Sequence, residues 1–367
     1  KSHKYMLSYK SGRKAMSKNK KMIRNFILFI LLIILTFYFV LRDQNIYEMF
    51  NILKSVKKEF ILIGLLCMLG YLVLEAINLG RTLKALNEKS NFLSNFKYAL
   101  IGFFFSSITP AASGGQPMQI YYMHKDNIKI ANSTLALLMN LFSMQVITIS
   151  FAFISVIINH KYLSSGLAWF FAIGVTLNSI ALALLLVGIF SKKLSEGLIK
   201  IAIKILKFFK FKKIDKVQEK LEKELEQYHG SAKYIKENPS VIIKTILTTA
   251  IQFIIYYSIP YWVYCAFNLK GFNIFQIITL QSVLFATVSG IPSPGAVGVS
   301  EGGFMSIFKT VFPSSVISSS MILTRGINFY FYVLISGIVV IVSTLKSKKE
   351  EKNIQVEKQN EENEEVE

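Results

Sequence analysis

The sequence TPAASGGQP occupies residues 109–117, and the sequence PSPGAVGVSEGG occupies residues 292–303. Each stretch places Pro and Gly, which interrupt helices, inside a long hydrophobic segment, once in each half of the chain. We call these stretches the first and the second broken segment. In lipid an unwound backbone is tolerated only where it is buried in protein or lines a cavity, because unpaired N–H and C=O groups are costly there. Broken segments at corresponding positions of two halves are typical of a binding site near the middle of a membrane.

The composition is that of a protein that crosses a membrane several times. Of the 367 residues, 52% are hydrophobic and only 17% are charged. An apolar helix of about 20 residues crosses the roughly 30 Å of hydrocarbon in a bilayer. The sequence therefore predicts an all-α polytopic membrane protein with about six full spans and two further hairpins. The predicted spans are residues 22–41, 60–79, 133–158, 164–190, 241–267 and 316–345.

The charge and the Cys and His residues exclude several classes of function. The net charge is +20, but the basic residues cluster at the ends of spans and no nucleic-acid-binding motif accompanies them, so we expect no nucleic-acid partner. Cys67 and Cys265 both lie in predicted spans, and the four His residues show no ligand spacing. We therefore expect no metal site and no cofactor, and we assign no catalytic residue.

The distribution of basic residues predicts the topology. Residues 1–21 are rich in Lys and Arg, the loop 191–240 carries more Lys than acidic residues, and residues 346–367 open with Lys346, Lys348 and Lys349. Such segments stay on the cytoplasmic side. Span 22–41 is too long for a signal peptide and lacks a small-residue cleavage pattern, so it is expected to remain uncleaved. Both termini are therefore expected in the cytoplasm.

These positions constrain the two broken segments. Residues 96–123 must dip into the bilayer and return, since a single crossing would place the basic loop 191–240 outside. The same argument makes residues 274–312 a re-entrant hairpin from the opposite face. The first membrane half, 22–190, and the second, 241–345, then form an inverted repeat. The alternative is that each hairpin arm is a tilted full span. Two simultaneous errors in the number of membrane crossings would leave both ends of the chain on the same side as before.

The remaining segments are expected to be cytoplasmic. Loop 191–240 shows Ile, Leu and Phe alternating with Lys at helical spacing, which predicts basic amphipathic helices that lie at the membrane surface. Its later part keeps apolar residues on one face and is expected to cap the cytoplasmic side. The acidic tail within 346–367 has few apolar residues and is predicted to be disordered.

Ionisable residues inside spans are costly and mark functional sites or ion pairs. Glu301 lies in the second broken segment and Arg325 in the last predicted span, and either they pair with each other or they contact a ligand. Glu75 lies in the second predicted span with Arg81 just beyond its end, and their pairing at the membrane edge is the favoured interpretation. We treat Glu75 and Arg81 as secondary candidates.

The broken segments also supply groups for an anion. Freed backbone N–H groups at a helix start bind phosphate, and a phosphate inside a membrane implies a lipid headgroup. The alternative is that the glycines only permit close helix packing. The candidate headgroup-binding residues are Thr109, Gly114, Gly115, Gln116, Ser293, Gly298, Glu301, Gly302 and Arg325.

With these motifs in place, the chain resembles the lysylphosphatidylglycerol synthase transmembrane family, the flippase-like domain at the N-terminus of the multiple peptide resistance factor. The resemblance rests on SITP at 107–110 with GGQP at 114–117, on PGAVGVSEG at 294–302, and on Arg325. The family often has Gly and an acidic residue where this chain has Ala111, Ala112 and Gln116. Full-length synthases add a soluble domain that uses lysyl-tRNA, and the few residues after Leu345 are not expected to contain it.

The resemblance implies a bacterial plasma-membrane protein that moves a phospholipid between leaflets, such as an anionic lipid or aminoacylated lysylphosphatidylglycerol. It also implies a link to antibiotic resistance. One alternative is a phosphatidylglycerol lysyltransferase that transfers the aminoacyl group from lysyl-tRNA to lipid. Another is a membrane scaffold. A homo-oligomer and a separate synthase partner are both left open.

Overall fold

A computed structural model describes residues 46–159, 165–191, 196–197, 214–291 and 293–345. All regular structure in these ranges is helical. The helices are α1 (Ile46–Ser55), α2 (Lys58–Ala85), α3 (Phe92–Ser107), α4 (Gly115–Lys125), α5 (Ile130–Asn159), α6 (Ser165–Phe190), α7 (Ile214–Glu237), α8 (Pro239–Tyr257), α9 (Ile259–Ala266), α10 (Ile274–Val288), α11 (Val299–Ile307) and α12 (Ile317–Leu345). Helix α12 contains a π turn at Gly326–Tyr330.

Four stretches of the described residues are long and apolar enough to cross a membrane. They are α2, residues Ile130–Ile158 of α5, the combined α8 and α9, and α12. They coincide with four of the six predicted spans, and α6 occupies the fifth, 164–190. The prediction of an all-α membrane protein is confirmed. Predicted span 22–41 and the terminal segments 1–21 and 346–367 lie outside the described residues, and the span count stays a prediction.

The first broken segment separates two helices that pack together. Helix α3 ends at Ser107, a 3-10 turn covers Pro110–Ala112, and α4 begins at Gly115. The break begins where Thr109 adopts an extended conformation before Pro110, because a residue preceding proline disfavours helical geometry. The Thr109 hydroxyl donates to the Phe105 carbonyl at 2.6 Å and accepts from the Gly114 N–H at 2.9 Å. One side chain thus pairs backbone groups on both sides of the break.

The second broken segment separates α10 from α11 in the same way. Helix α10 ends at Val288, and a 3-10 turn covers Pro294–Ala296 before α11 begins at Val299. The Nδ2 atom of Asn178, on α6, donates to the Ala286 carbonyl at 3.2 Å and to the Ser289 hydroxyl at 3.0 Å. A buried side chain therefore supplies a partner at the helix end, where carbonyls have none within the helix.

The two helix pairs start from opposite ends of α2. At one end, the Lys57 N–H donates to the Ala266 carbonyl at 3.0 Å, which places the loop leading into α10 beside the start of α2. At the other end α2 leads into α3, and α4 returns there, since Lys97 Nζ lies 2.6 Å from Asp126 Oδ2. This arrangement is the one expected of two hairpins that approach each other. The inverted repeat and the membrane faces of the hairpins stay predictions.

Helix α7 is fastened to the end of the bundle at which α3 starts. The Asn132 Nδ2 atom donates to Glu88 Oε1 at 2.6 Å, and the Ser231 hydroxyl donates to Asn132 Oδ1 at 2.7 Å. Tyr228 is buried in a cluster that joins α7 to α5, and this burial raises the pKa of its phenol to about 12. The later part of loop 191–240 is therefore a packed helix, whereas residues 198–213 lie outside the described residues.

Candidate functional site

The two broken segments contact each other. The 3-10 turn Pro110–Ala112 contacts the 3-10 turn Pro294–Ala296, and α3 also contacts the second turn. The rings of Phe103 on α3 and Phe329 on α12 lie 6.2 Å apart, centroid to centroid, beside this contact. Residues from both halves of the chain therefore form one locus where the backbone is not helical.

A buried ion pair lies at this locus. The Arg325 Nε atom donates to Glu301 Oε1 at 2.7 Å. The Glu301 side chain is 0% exposed, and Arg325 is also buried. Glu301 lies in the first turn of α11, and Arg325 lies on α12 immediately before the π turn. The structure thus forms the pair that the sequence had left as one of two interpretations.

Backbone groups of the second broken segment hold both members of the pair. The Gly298 N–H donates to Glu301 Oε2 at 2.7 Å, as in a capping box at the start of α11. The Arg325 Nη2 atom donates to the Gly295 carbonyl at 3.1 Å. The pair therefore connects the second broken segment to α12. Separating Glu301 from Arg325 would also disturb their contacts with the backbone of this segment.

Two aromatic residues also contact Arg325. Its guanidinium carbon lies 4.2 Å from the Phe329 ring centroid and 5.6 Å from that of Tyr330, within the range of cation–π interactions. The Tyr330 hydroxyl donates to Glu301 Oε1 at 3.0 Å. Sequence reasoning missed both aromatics. Phe329, four residues after Arg325, shares its face in an ordinary α-helix, so this spacing was a usable signal. Tyr330, five residues after Arg325, reaches that face through the π turn, whose hydrogen bonds span five residues.

The candidate residues of the first broken segment have local structural roles. The Gly114 N–H is bonded to the Thr109 hydroxyl. A β-carbon on Gly115 would lie 2.1 Å from Ser106 Oγ and 2.9 Å from the Gly102 carbonyl oxygen, so this glycine permits α3 and α4 to pack closely. Gln116 is half-buried and makes no side-chain hydrogen bond with the described residues. The Thr109 side chain, in contrast, makes two hydrogen bonds.

In the second broken segment the predicted N–H groups also have acceptors. Gly298 has a φ of 88°, which favours glycine, and its N–H is bonded to Glu301. The Gly302 N–H donates to the Gly298 carbonyl at 3.0 Å within α11, and Gly302 itself is exposed. The Ser293 hydroxyl donates to the Val297 carbonyl at 2.9 Å. In this conformation the N–H groups of Gly298 and Gly302 are already bonded and are not free to bind an anion.

The pairing of Glu75 with Arg81 is not formed. Six residues apart on α2, the two side chains point to different sides of the helix. Arg81 instead donates to Asn78 Oδ1 at 2.7 Å and to the Thr248 hydroxyl at 2.9 Å. Glu75 has no ion pair or hydrogen bond with the described residues and lies outside the Glu301 locus. The two secondary candidates are therefore separate from each other.

The described residues include no group of three or more His, Cys, Asp or Glu side chains that lie close enough to hold a metal ion. The chemistry that the site offers is electrostatic. It presents one carboxylate and one guanidinium, both buried and both partnered, beside two interrupted helices.

Comparison with known proteins places the chain in a family. A family model described as "Lysylphosphatidylglycerol synthase TM region" matches residues 26–336, a range that contains both broken segments, Glu301 and Arg325. Among curated proteins, the chain is 22% identical over 307 residues to a "UPF0104 membrane protein" of Archaeoglobus fulgidus, a match that covers 81% of this chain and 90% of that protein. The match to the family model extends over most of the chain, and the chain belongs to the lysylphosphatidylglycerol synthase TM region family.

Proposed function

We propose that this chain is a flippase-like translocase of the bacterial plasma membrane that moves a phospholipid between leaflets. The observation that carries the proposal is the buried Glu301–Arg325 pair, held by the second broken segment where that segment touches the first. A buried ion pair is weak evidence for stability, because the desolvation of both charges offsets their attraction. Its location inside a membrane bundle favours a role in handling a charged ligand.

The pair matches the charges of a zwitterionic or aminoacylated headgroup. Arg325 would bind the phosphodiester through charge-assisted hydrogen bonds, and Glu301 would bind the amine. Phe329 and Tyr330, which now pack on the guanidinium, would accept the same amine through cation–π contacts. A zwitterionic lipid brings one charge of each sign, so the exchange leaves no buried charge without a partner, whereas a lysylated headgroup carries one further ammonium group. For an anionic lipid, the phosphodiester alone would compete with Glu301 for Arg325.

The remaining candidates line the route of the headgroup. Thr109, Gly114, Gly115 and Gln116 lie on one side of the contact between the broken segments, and Ser293, Gly298 and Gly302 lie on the other. Acyl chains would stay in the lipid while the headgroup passes between the two segments. The sequence shows no nucleotide-binding motif, so the movement would be downhill or coupled to an ion gradient. Glu75 and Arg81 are proposed as secondary contacts outside this locus.

Scrambling in proteoliposomes tests the proposal. Fluorescent phosphatidylglycerol and its lysylated form report transfer between leaflets through quenching from outside. We expect the Glu301→Leu/Arg325→Met double variant to lose transfer while remaining folded, because apolar side chains replace both charges together. The matched control is Lys233→Ala/Glu237→Ala, which removes an exposed ion pair on α7.

Transfer at the unmodified rate by the folded double variant would contradict the proposal. If cells that normally contain no lysylated lipid formed it when they express this chain, the result would instead support aminoacyl transfer. The double variant leaves no unpaired buried charge, so the transfer measurement does not depend on the loss of stability that such a charge would cause.

A further inference from the structure

A small polar cavity lies on one side of Arg325, between α8, α10, α11 and α12. Its volume is about 30 Å³. On the same measure one water molecule needs roughly 10–15 Å³, so the cavity holds one or two waters or a single dehydrated ion. Its polar lining residues are Tyr256, Gln281, Ser300, Thr324, Arg325 and Asn328. Five of these were not among the sequence candidates and have no role in the ion pair: Tyr256, Gln281, Ser300, Thr324 and Asn328.

Three of the lining side chains are buried and have an oxygen atom without a partner among the described residues. Gln281, Thr324 and Asn328 are 4%, 1% and 5% exposed. In the part of the chain that the structure describes, nothing forms a hydrogen bond with their Oε1, Oγ1 and Oδ1 atoms. A buried polar group left unpaired is destabilising, and most such groups in proteins have a partner. Three of them around one cavity indicate that the cavity has an occupant.

The cavity also offers hydrogen-bond donors. The hydroxyls of Tyr256 and Ser300 and the Nη1 atom of Arg325 make no hydrogen bond with the described residues. The amides of Gln281 and Asn328 each carry an NH₂ group, which a rotation of the amide presents in place of the oxygen. Every polar side chain in the lining can therefore donate to one central ligand.

The charge of the lining selects the sign of that ligand. Among the described residues, Arg325 is the one charged residue that lines the cavity, and Glu301 lies outside the lining. A cation there would face the guanidinium, and two like charges about 4 Å apart repel strongly even at an intermediate dielectric. An anion would be attracted to it. The apolar walls formed by Leu284, Phe285, Val288 and Phe304 favour a weakly hydrated ion of single charge.

We propose that this cavity binds one monovalent halide such as chloride. The ion accepts from Arg325 Nη1, from the hydroxyls of Ser300 and Thr324, and from the amide of Asn328. It gives Arg325 a second counter-charge beside Glu301. The inference goes beyond the proposed function and does not rest on it, because halide binding requires no lipid transfer.

Thermal unfolding of the purified chain in detergent tests the site. Sodium chloride, potassium chloride and sodium gluconate are compared at equal ionic strength. We expect the two chlorides to give the same melting temperature, about 2 °C or more above that in gluconate, with saturation as chloride rises. A higher value in both sodium salts than in potassium chloride would indicate a sodium site and overturn the proposal. Equal values in all three salts would mean that the cavity holds only water, and would also overturn it.

Matched variants separate the cavity from a general salt effect. Thr324→Val removes one lining hydroxyl at constant volume, and Thr287→Val makes the same change on α10, where the hydroxyl is bonded to the Val283 carbonyl outside the cavity. We expect Thr324→Val to lose at least half of the chloride shift and Thr287→Val to keep it. An undiminished shift in Thr324→Val would assign the effect to the protein surface.

A direct measurement on the unmodified protein needs no variant. Crystals grown in sodium bromide are expected to show an anomalous scattering peak between Arg325, Thr324 and Asn328. Bromide peaks at other positions alone would overturn the proposal.

Discussion

The carbonyl oxygen of Ser107 lies 3.1 Å from the position that a β-carbon on Gly295 would occupy. Ser107 ends α3 and Gly295 lies in the 3-10 turn of the second broken segment, so the two halves of the chain touch backbone to backbone here. The same β-carbon would lie 2.2 Å from Phe329 Cζ. The meeting of the broken segments therefore depends on a glycine.

Gly295→Ala is expected to destabilise the protein. Gly295 has a φ of 58°, which an L side chain adopts at a cost, and the added methyl group would clash with Phe329 and press on Ser107. We expect a loss of about 1–3 kcal/mol, measured by unfolding in detergent. Gly302→Ala is the control, because Gly302 is exposed within α11 and has nothing within 4 Å of a β-carbon. Its stability should be unchanged or raised by up to about 1 kcal/mol. Equal stabilities of the two variants would contradict the backbone contact.

Glu301→Gln is expected to be strongly destabilising. It removes the carboxylate that pairs with the buried Arg325, and breaking a buried pair from one side costs about 3–5 kcal/mol. The free energy of unfolding in detergent measures the effect. The Glu301→Leu/Arg325→Met double variant should recover part of this loss, because no buried charge remains, although the Gly298 N–H and the Gly295 carbonyl lose their partners. If the single variant were as stable as the unmodified protein, the pair would not be buried as described.

Gly115→Ala is expected to separate α3 from α4. The new β-carbon would overlap Ser106 Oγ and would also lie 2.9 Å from the Gly102 carbonyl oxygen. We expect a loss of about 1–3 kcal/mol in unfolding free energy. Adding Ser106→Ala should recover only part of it, since the contact with backbone remains. Full recovery would mean that the side chain alone sets the spacing of the two helices.

Asn132→Leu is expected to loosen α7. Asn132 bridges Glu88 and Ser231, and its loss leaves both without that partner. We expect faster hydrogen exchange of α7 amides, with little change in α2 or α12. Lys233→Ala, at an exposed site on α7, is the control, and its effect should stay below about 0.5 kcal/mol. Unchanged exchange in Asn132→Leu would show that apolar packing alone holds α7.

Local sequence properties predicted much of the fold. Runs of apolar residues indicated the spans, because the hydrocarbon thickness sets the length of a helix. Pro110 and Pro294, with their neighbouring glycines, indicated both breaks, because a proline or a positive φ acts on its own stretch of backbone. The positions of Glu301 and Arg325 within apolar segments marked them as exceptional without any structure.

The partners of those residues could not be predicted in the same way. The chain alone left open whether Arg325 pairs with Glu301, and it favoured a pair of Glu75 with Arg81 that the structure does not form. The side chain that a charge meets is decided by helices that are distant in sequence and by the π turn that brings Tyr330 to the face of Arg325. The N–H groups of Gly114 and Gly298 looked free for a ligand, but Thr109 and Glu301 occupy them. The sequence by itself determined where the helices span and where they break, because those are local consequences of hydrophobicity and backbone geometry. The tertiary structure alone decided which groups meet at the breaks, because side-chain contacts depend on how the helices pack.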